Sequence, residues 1–159
     1  MSSETSQKPG VLFVCLGNIC RSPMAEGAFR AAAEKSGLDC EADSAGTASY
    51  HIGEPPDRRA IATARRHNVD IAYFRGRQIE QDDFYRFTHI FALDSANLAG
   101  IKAIAPRDGT AKVALLMDLV EGREGTPVKD PYYGDQRDFE AVWDEVTAAS
   151  EALIEELSA

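Results

Sequence analysis

Val11-Leu12-Phe13-Val14-Cys15-Leu16-Gly17-Asn18-Ile19-Cys20-Arg21-Ser22-Pro23 is the stretch on which the fold turns. Its opening Val-Leu-Phe-Val is a short continuous apolar run rich in β-formers, the pattern of a strand buried on both faces. The segment from Cys15 to Ser22 follows at once, and Pro23 suits the first position of a helix, where a missing N–H leaves nothing unpaired. Met24 to Glu34 supplies good helix formers, with Ala25, Phe29, Ala32 and Ala33 spaced for one buried face, and Gly37 ends the run. Strand, tight loop and helix form the first unit.

Outward from it the alternation continues. Cys40 to Ala45 reads as a second strand, Gly46 to Asp57 as turn-rich, Ala60 to His67 as a helix stopped near Asn68, and Glu80 to Tyr85 as a short helical segment. His89 to Leu93 is a third strand, Ser95 to Ile104 a helix capped by Ser95, and Val113 to Leu116 a fourth strand. A polar stretch, Asp118 to Asp138, precedes an amphipathic helix from Phe139 to Leu157. This order predicts a single α/β domain, Rossmann-like: a four-stranded parallel sheet with helices on both faces. Its phosphate loop would follow the first strand, at the carboxyl ends where such sheets bind ligands. Residues 1–10 read as a flexible polar leader, and 11–159 as one domain without internal repeats.

The loop is built for an anion. A turn between a buried strand and a helix N-terminus aims several backbone N–H groups at one point, and the helix dipole adds positive charge there. Gly17 and Asn18 are residue types that tolerate left-handed backbone, and Leu16, Ile19, Cys20 and Ser22 complete the curl. Arg21 can grip two oxygens through its planar fork. A cysteine at the base of that cradle, Cys15, has its thiolate stabilised and faces the bound group as a nucleophile. A buried cysteine is more often an inert small hydrophobe, but that does not account for the Arg and Gly around this one.

The whole chain sets limits on partners. Its 159 residues carry a net charge of −9, which argues against general binding to nucleic acid but leaves room for a locally positive phosphate site. Three cysteines, Cys15, Cys20 and Cys40, are too few and too irregular for a secreted disulfide framework. No apolar run approaches a membrane span and residues 1–10 lack a signal sequence's apolar core, so a cytoplasmic protein with reduced thiols is expected, apart from membranes. Two loop cysteines without a downstream Cys or His cluster make a poor zinc set, and neither metal nor cofactor is expected. His51, His67 and His89 fall in no catalytic motif and read as structural.

The chain resembles the low-molecular-weight protein tyrosine phosphatase family. The match runs through Val14 to Pro23, Asp43-Ser44-Ala45-Gly46-Thr47, Gly53-Glu54-Pro55-Pro56-Asp57 and Asp130-Pro131-Tyr132-Tyr133-Gly134, from about Val11 to the C-terminus. The resemblance implies that Cys15 attacks phosphorus, Arg21 binds the equatorial oxygens, and Asp130 protonates the leaving phenol and then activates water. It implies that Ser22 donates to the Cys15 sulfur and Asn18 locks the loop. Tyr132 and Tyr133 would wall the substrate ring, with Tyr50 helping selection; each has the competing reading of surface packing or a loop anchor. Cys15 and Cys20 would form a reversible protective disulfide, or Cys20 would simply pack beneath the loop. Many relatives carry a supporting histidine where this chain has Phe74. Asp94 would lie near Arg21 or merely start the following helix.

Substrates would be a phosphotyrosine protein or a small aryl phosphate, and the assembly a monomer or weak dimer. Arsenate reductase needs further cysteines down the chain, and none follows Cys40. Phosphoarginine phosphatases usually carry Thr where Ile19 stands. A nucleotide-binding module would require Gly-x-Gly-x-x-Gly or Gly-Lys-Ser/Thr, both missing.

Overall fold

The computed structural model describes residues 8–159. The strands are β1 (Gly10–Cys15), β2 (Glu41–Gly46), β3 (His89–Ala92) and β4 (Lys112–Leu115), and the helices α1 (Arg21–Ser36), α2 (Arg58–Arg66), α3 (Asp83–Arg86), α4 (Ser95–Ile104) and α5 (Gln136–Ser158). A 3-10 turn, Leu116–Leu119, follows β4. The four strands lie parallel in the order β2-β1-β3-β4, with Phe13 opposite Ser44 on one side and Phe91 on the other. The predicted fold class is the observed one.

β1 is central, and every one of its residues is buried. Alternation still governs it: Val11, Phe13 and Cys15 face the layer of α1, α2 and α5, whereas Leu12 and Val14 face Phe84, Ile90 and Ile101 on the α3 and α4 side. A strand sealed on both faces has no use for polar residues, which is why Val11 to Val14 reads as an unbroken apolar run. On the first face Phe13 meets Phe29 of α1 with ring centroids 5.8 Å apart. Removing such a buried ring costs about 3–5 kcal/mol.

Several boundaries depart from the sequence reading. α1 begins at Arg21, so Pro23 is its third residue rather than its first. The first four N–H groups of any helix lack an intrahelical acceptor, so proline forfeits no bond there either. The earlier start draws Arg21 and Ser22 into the first turn. α4 is capped not by Ser95 but by Asp94, whose carboxylate accepts from the Asn97 N–H at 2.7 Å. α5 starts at Gln136, where Asp135 and Asp138 form a reciprocal capping box. β2 and β4 each sit one residue off their predicted ends, and β3 stops at Ala92. Most of the predicted leader, residues 1–7, lies outside the described residues, and Gly10 already opens β1.

Candidate active site

The strand order reverses between β1 and β3, and the Cys15 to Ser22 loop leaves β1 at that switch point. Asp94 follows the end of β3. The polar segment after the 3-10 turn is stitched to the same edge by the Val128 N–H donating to the Leu93 carbonyl at 2.8 Å. That one bond carries the following residues, Asp130 included, to the mouth of the loop. Cys15, Arg21 and Asp130 thereby line one pocket of about 300 Å³, with Leu16, Gly17, Ile19, Cys20, Tyr50, His51, Tyr132 and Tyr133.

The loop is held from beneath by a chain of side-chain hydrogen bonds. Asn18 is 3% exposed and sits at φ 60°, in the left-handed region. Its Oδ1 accepts from the Arg77 N–H at 3.0 Å, which leaves Nδ2 to donate to Ser22 Oγ at 2.8 Å and Ser44 Oγ at 3.0 Å. Ser22 Oγ lies 3.1 Å from Cys15 Sγ. Ser22 accepts from Asn18, and its one hydrogen can go to the sulfur or, at the longer 3.4 Å, to the Ala45 carbonyl. Gly17 is not in the left-handed region; an added Cβ there would stand 3.0 Å from His51 Cδ2, so the ring would have to give way. Gly46, facing the loop, has the Leu16 carbonyl 2.7 Å from where a Cβ would stand. Among the described residues none accepts from the backbone N–H groups of Gly17, Asn18, Ile19 or Cys20, so these donors remain for an anion.

Arg21 is 4% exposed, and a buried guanidinium must be paired. Its Nη1 donates to Asp94 Oδ2 at 2.7 Å and to the Val128 carbonyl at 2.9 Å. Nη2 stands 3.9 Å from Asp130 Oδ2, and among the described residues neither Nη2 nor Nε has a hydrogen-bond acceptor. That free edge of the fork suits two oxygens of one phosphoryl group. Asp94 both caps α4 and anchors Arg21, so the two readings of it hold together.

Asp130 belongs to a more open wall. Its side chain is half exposed, its Oδ1 accepts from the Tyr132 N–H at 3.1 Å, and Pro131 beside it is buried. The Arg59 guanidinium lies 5.5 Å from the Tyr132 ring centroid and 4.7 Å from that of Phe139. Tyr133 stands edge-on to Tyr132 and is 95% exposed; Tyr50 is 70% exposed.

The other thiols are set apart from Cys15. Burial, aided by Asp57 and the nearby Cys15, pushes the Cys20 thiol far above its ordinary range, so it stays protonated. Cys40, away from the pocket, is pushed up to about 11, again chiefly by burial. All three cysteines are unpaired. Among the described residues there is no cluster of His, Cys, Asp or Glu suited to a metal ion, and no helix long and apolar enough to cross a membrane.

Some site residues escaped the sequence reading. His51, which falls in no catalytic motif, borders the pocket with its Nδ1 2.9 Å from Glu54 Oε1. Glu26, Arg30 and Arg77 carried no motif. Glu26 is 3% exposed on α1 and accepts from Ser44, and Arg77 also pairs with Asp43 and Asp83. Phe74 is partly buried against the α1-side core, edge-on to Tyr73, and offers the loop no hydrogen bond. A buried acid four residues before an arginine was the available signal for Glu26, but solvated pairs at that spacing are common.

Comparison with known proteins agrees with this geometry. The family described as "Low molecular weight phosphotyrosine protein phosphatase" matches residues 10–159. A Saccharomyces cerevisiae protein of that name is 39% identical over 94% of this chain and 97% of its own. A protein tyrosine phosphatase structure from Entamoeba histolytica, with Hepes in its active site, superposes with TM-score 0.89 at 35% identity, covering 95% of this chain and 97% of that one. The drosophila arginine phosphatase structure superposes with TM-score 0.88 at 32% identity over 94% of this chain and 98% of its own.

Proposed function

Because the chain belongs to the low molecular weight phosphotyrosine protein phosphatase family, we propose that it hydrolyses phosphotyrosine monoesters through a cysteinyl-phosphate intermediate. The observation that carries this reading is the convergence of Cys15, Arg21 and Asp130 on one pocket. The Cys15 thiolate attacks phosphorus while the free edge of Arg21 and the loop N–H groups hold the equatorial oxygens. As the P–O bond breaks, Asp130 gives its proton to the leaving phenolate. Asp130 then takes a proton from water, the water oxygen bonds to phosphorus, and the thiolate departs, stabilised by the Ser22 hydroxyl.

Leu16, Gly17, Asn18, Ile19, Cys20 and Ser22 shape the cradle, and Tyr50, Tyr132 and Tyr133 form an aromatic collar suited to the phenyl ring of a phosphotyrosine protein or a small aryl phosphate. In the same reading the protein works in the cytoplasm without metal or cofactor, away from nucleic acid and membrane, as a monomer or weak dimer. The net charge of −9 and the three unpaired cysteines support it. The working domain runs from Gly10, the first residue of β1, to Ala159.

The test is phosphate release from a phosphotyrosine peptide with chelator and reductant present, comparing the protein with Cys15→Ser. Activity that vanishes in the variant is expected. An inactive but folded parent would overturn the reading, and release from phosphoarginine instead would redirect it.

A further inference from the structure

Glu26 takes no part in the reaction, yet its carboxylate is buried in the first half of α1. A buried carboxylate is costly unless it is paired and hydrogen-bonded. Two donors meet it: Arg30 Nε reaches Oε2 at 2.7 Å, and Ser44 Oγ reaches Oε1 at 2.8 Å from β2. Arg30 is steadied by Nη2 donating to the Ala42 carbonyl at 2.5 Å. Burial pushes the Glu26 carboxyl above its ordinary value and Asp43 of β2 acts in the same direction, whereas Arg30 and Ser44 oppose them. Asp43 is itself engaged by Arg77. Arg30 is the cation that makes an ionised Glu26 tolerable.

Hydrogen counting shows what depends on this. With Asn18 Oδ1 taken by the Arg77 N–H, both amide hydrogens of Asn18 go to serine oxygens. Ser44 then has a single hydrogen, and Glu26 is where it goes. Ser22 likewise has a single hydrogen, for Cys15 Sγ at 3.1 Å rather than the Ala45 carbonyl at 3.4 Å. A Glu26 protonated on Oε1 would present Ser44 with a donor in place of an acceptor, leave the Ser44 hydrogen unplaced and loosen one of the two serines that fix Asn18. The Ser22 hydrogen bond to the thiolate would weaken in turn.

We propose that Arg30 is a positioning residue for the nucleophile: paired with Glu26, it keeps Ser44 a donor, Asn18 fixed and the Ser22 hydroxyl aimed at the Cys15 sulfur. The proposal rests on Cys15 as the nucleophile. It links a half-exposed side chain on α1 to the reacting atom through four intervening side chains, Glu26, Ser44, Asn18 and Ser22.

The experiment measures alkylation of Cys15 by iodoacetamide, a neutral reagent, as a function of pH, with Cys20 and Cys40 resolved by peptide mass spectrometry. In Arg30→Met the midpoint of the profile moves up by about one pH unit, so that alkylation below it slows about tenfold. Turnover of a phosphotyrosine peptide falls while KM stays within about threefold. Arg30→Lys restores part of the shift, and Glu26→Gln combined with Arg30→Met costs no more than the larger single change, because the two act as one unit. An unshifted midpoint in a cooperatively unfolding Arg30→Met, or additive shifts in the double variant, overturns the proposal. If Arg30→Met does not fold, Arg30→Gln is judged by the same midpoint. The parent's turnover and its loss in Cys15→Ser test the phosphatase reading separately, since alkylation needs no phosphatase activity.

Discussion

The two loops that would share the chemistry are built in opposite ways. The Cys15 to Ser22 loop is locked: Asn18, Arg21 and Ser22 are each under 5% exposed and cross-bonded to β2, Asp94, Val128 and Arg77. The Asp130 to Gly134 loop is open: Asp130 is half exposed, Tyr133 almost wholly so, and the anchoring comes from buried Pro131 and a short turn bond. A cradle for an oxyanion must have its dipoles in place beforehand, which rigid burial secures. An acid that meets the leaving group of varied substrates must instead stand where those substrates enter. Binding and proton transfer are therefore expected to separate cleanly on mutation.

Asp130→Ala should show the largest separation, with turnover falling about 10²–10⁴-fold while inhibition by inorganic phosphate changes by less than about threefold. Equal losses in both would break the contrast between the loops. Asn18→Ala acts on the locked side. It deletes the bonds to Ser22, Ser44 and the Arg77 N–H and places alanine at φ 60°. A stability loss of about 3 kcal/mol in denaturant unfolding is expected, together with slower turnover.

On the open side the tyrosines should differ from each other. Tyr132→Ala, which removes a ring 40% exposed and covered by Arg59, should lower kcat/KM for a phosphotyrosine peptide about tenfold. Tyr133→Ala, at 95% exposure, should change it by less than about threefold. Comparable losses would mean the collar acts as a unit.

The smallest effect lies outside both loops. The His67 hydrogen bond, with Arg66, holds the Glu140 carboxyl below its ordinary value and ties α2 to α5. A depressed folded value stabilises above the unfolded pKa, about 4.3, and that contribution is lost as pH falls through the folded one. Glu140→Gln should thus cost under about 1 kcal/mol at pH 7 and progressively less as pH falls below about 4, with activity unchanged.

The locked loop was legible in the sequence because its determinants are contiguous: an apolar strand, a curl containing Gly17 and Asn18, an arginine and a helix start. Helix ends were read less well. Asp94 and Asp135 cap where Ser95 and Phe139 were expected to begin, since Asp and Ser are nearly equivalent caps and the choice falls to whichever carboxylate the packing aims at the first N–H groups. Gly17 does not adopt the left-handed torsion its residue type allows; it lies instead in close approach to the His51 ring.

By itself the sequence determined the four-stranded α/β order and the tight loop, with a thiol at its base, between the first strand and helix, because strand burial, helix periodicity and loop curvature are written in neighbouring residues. Only the tertiary structure decided what holds that loop. Arg21 meets Val128 across 107 positions, Asn18 meets Ser44 across 26, and His51 reaches the pocket from a turn with no motif of its own. Such partners are selected by the need to satisfy buried charges and amides, and that need arises only once the chain has packed around them.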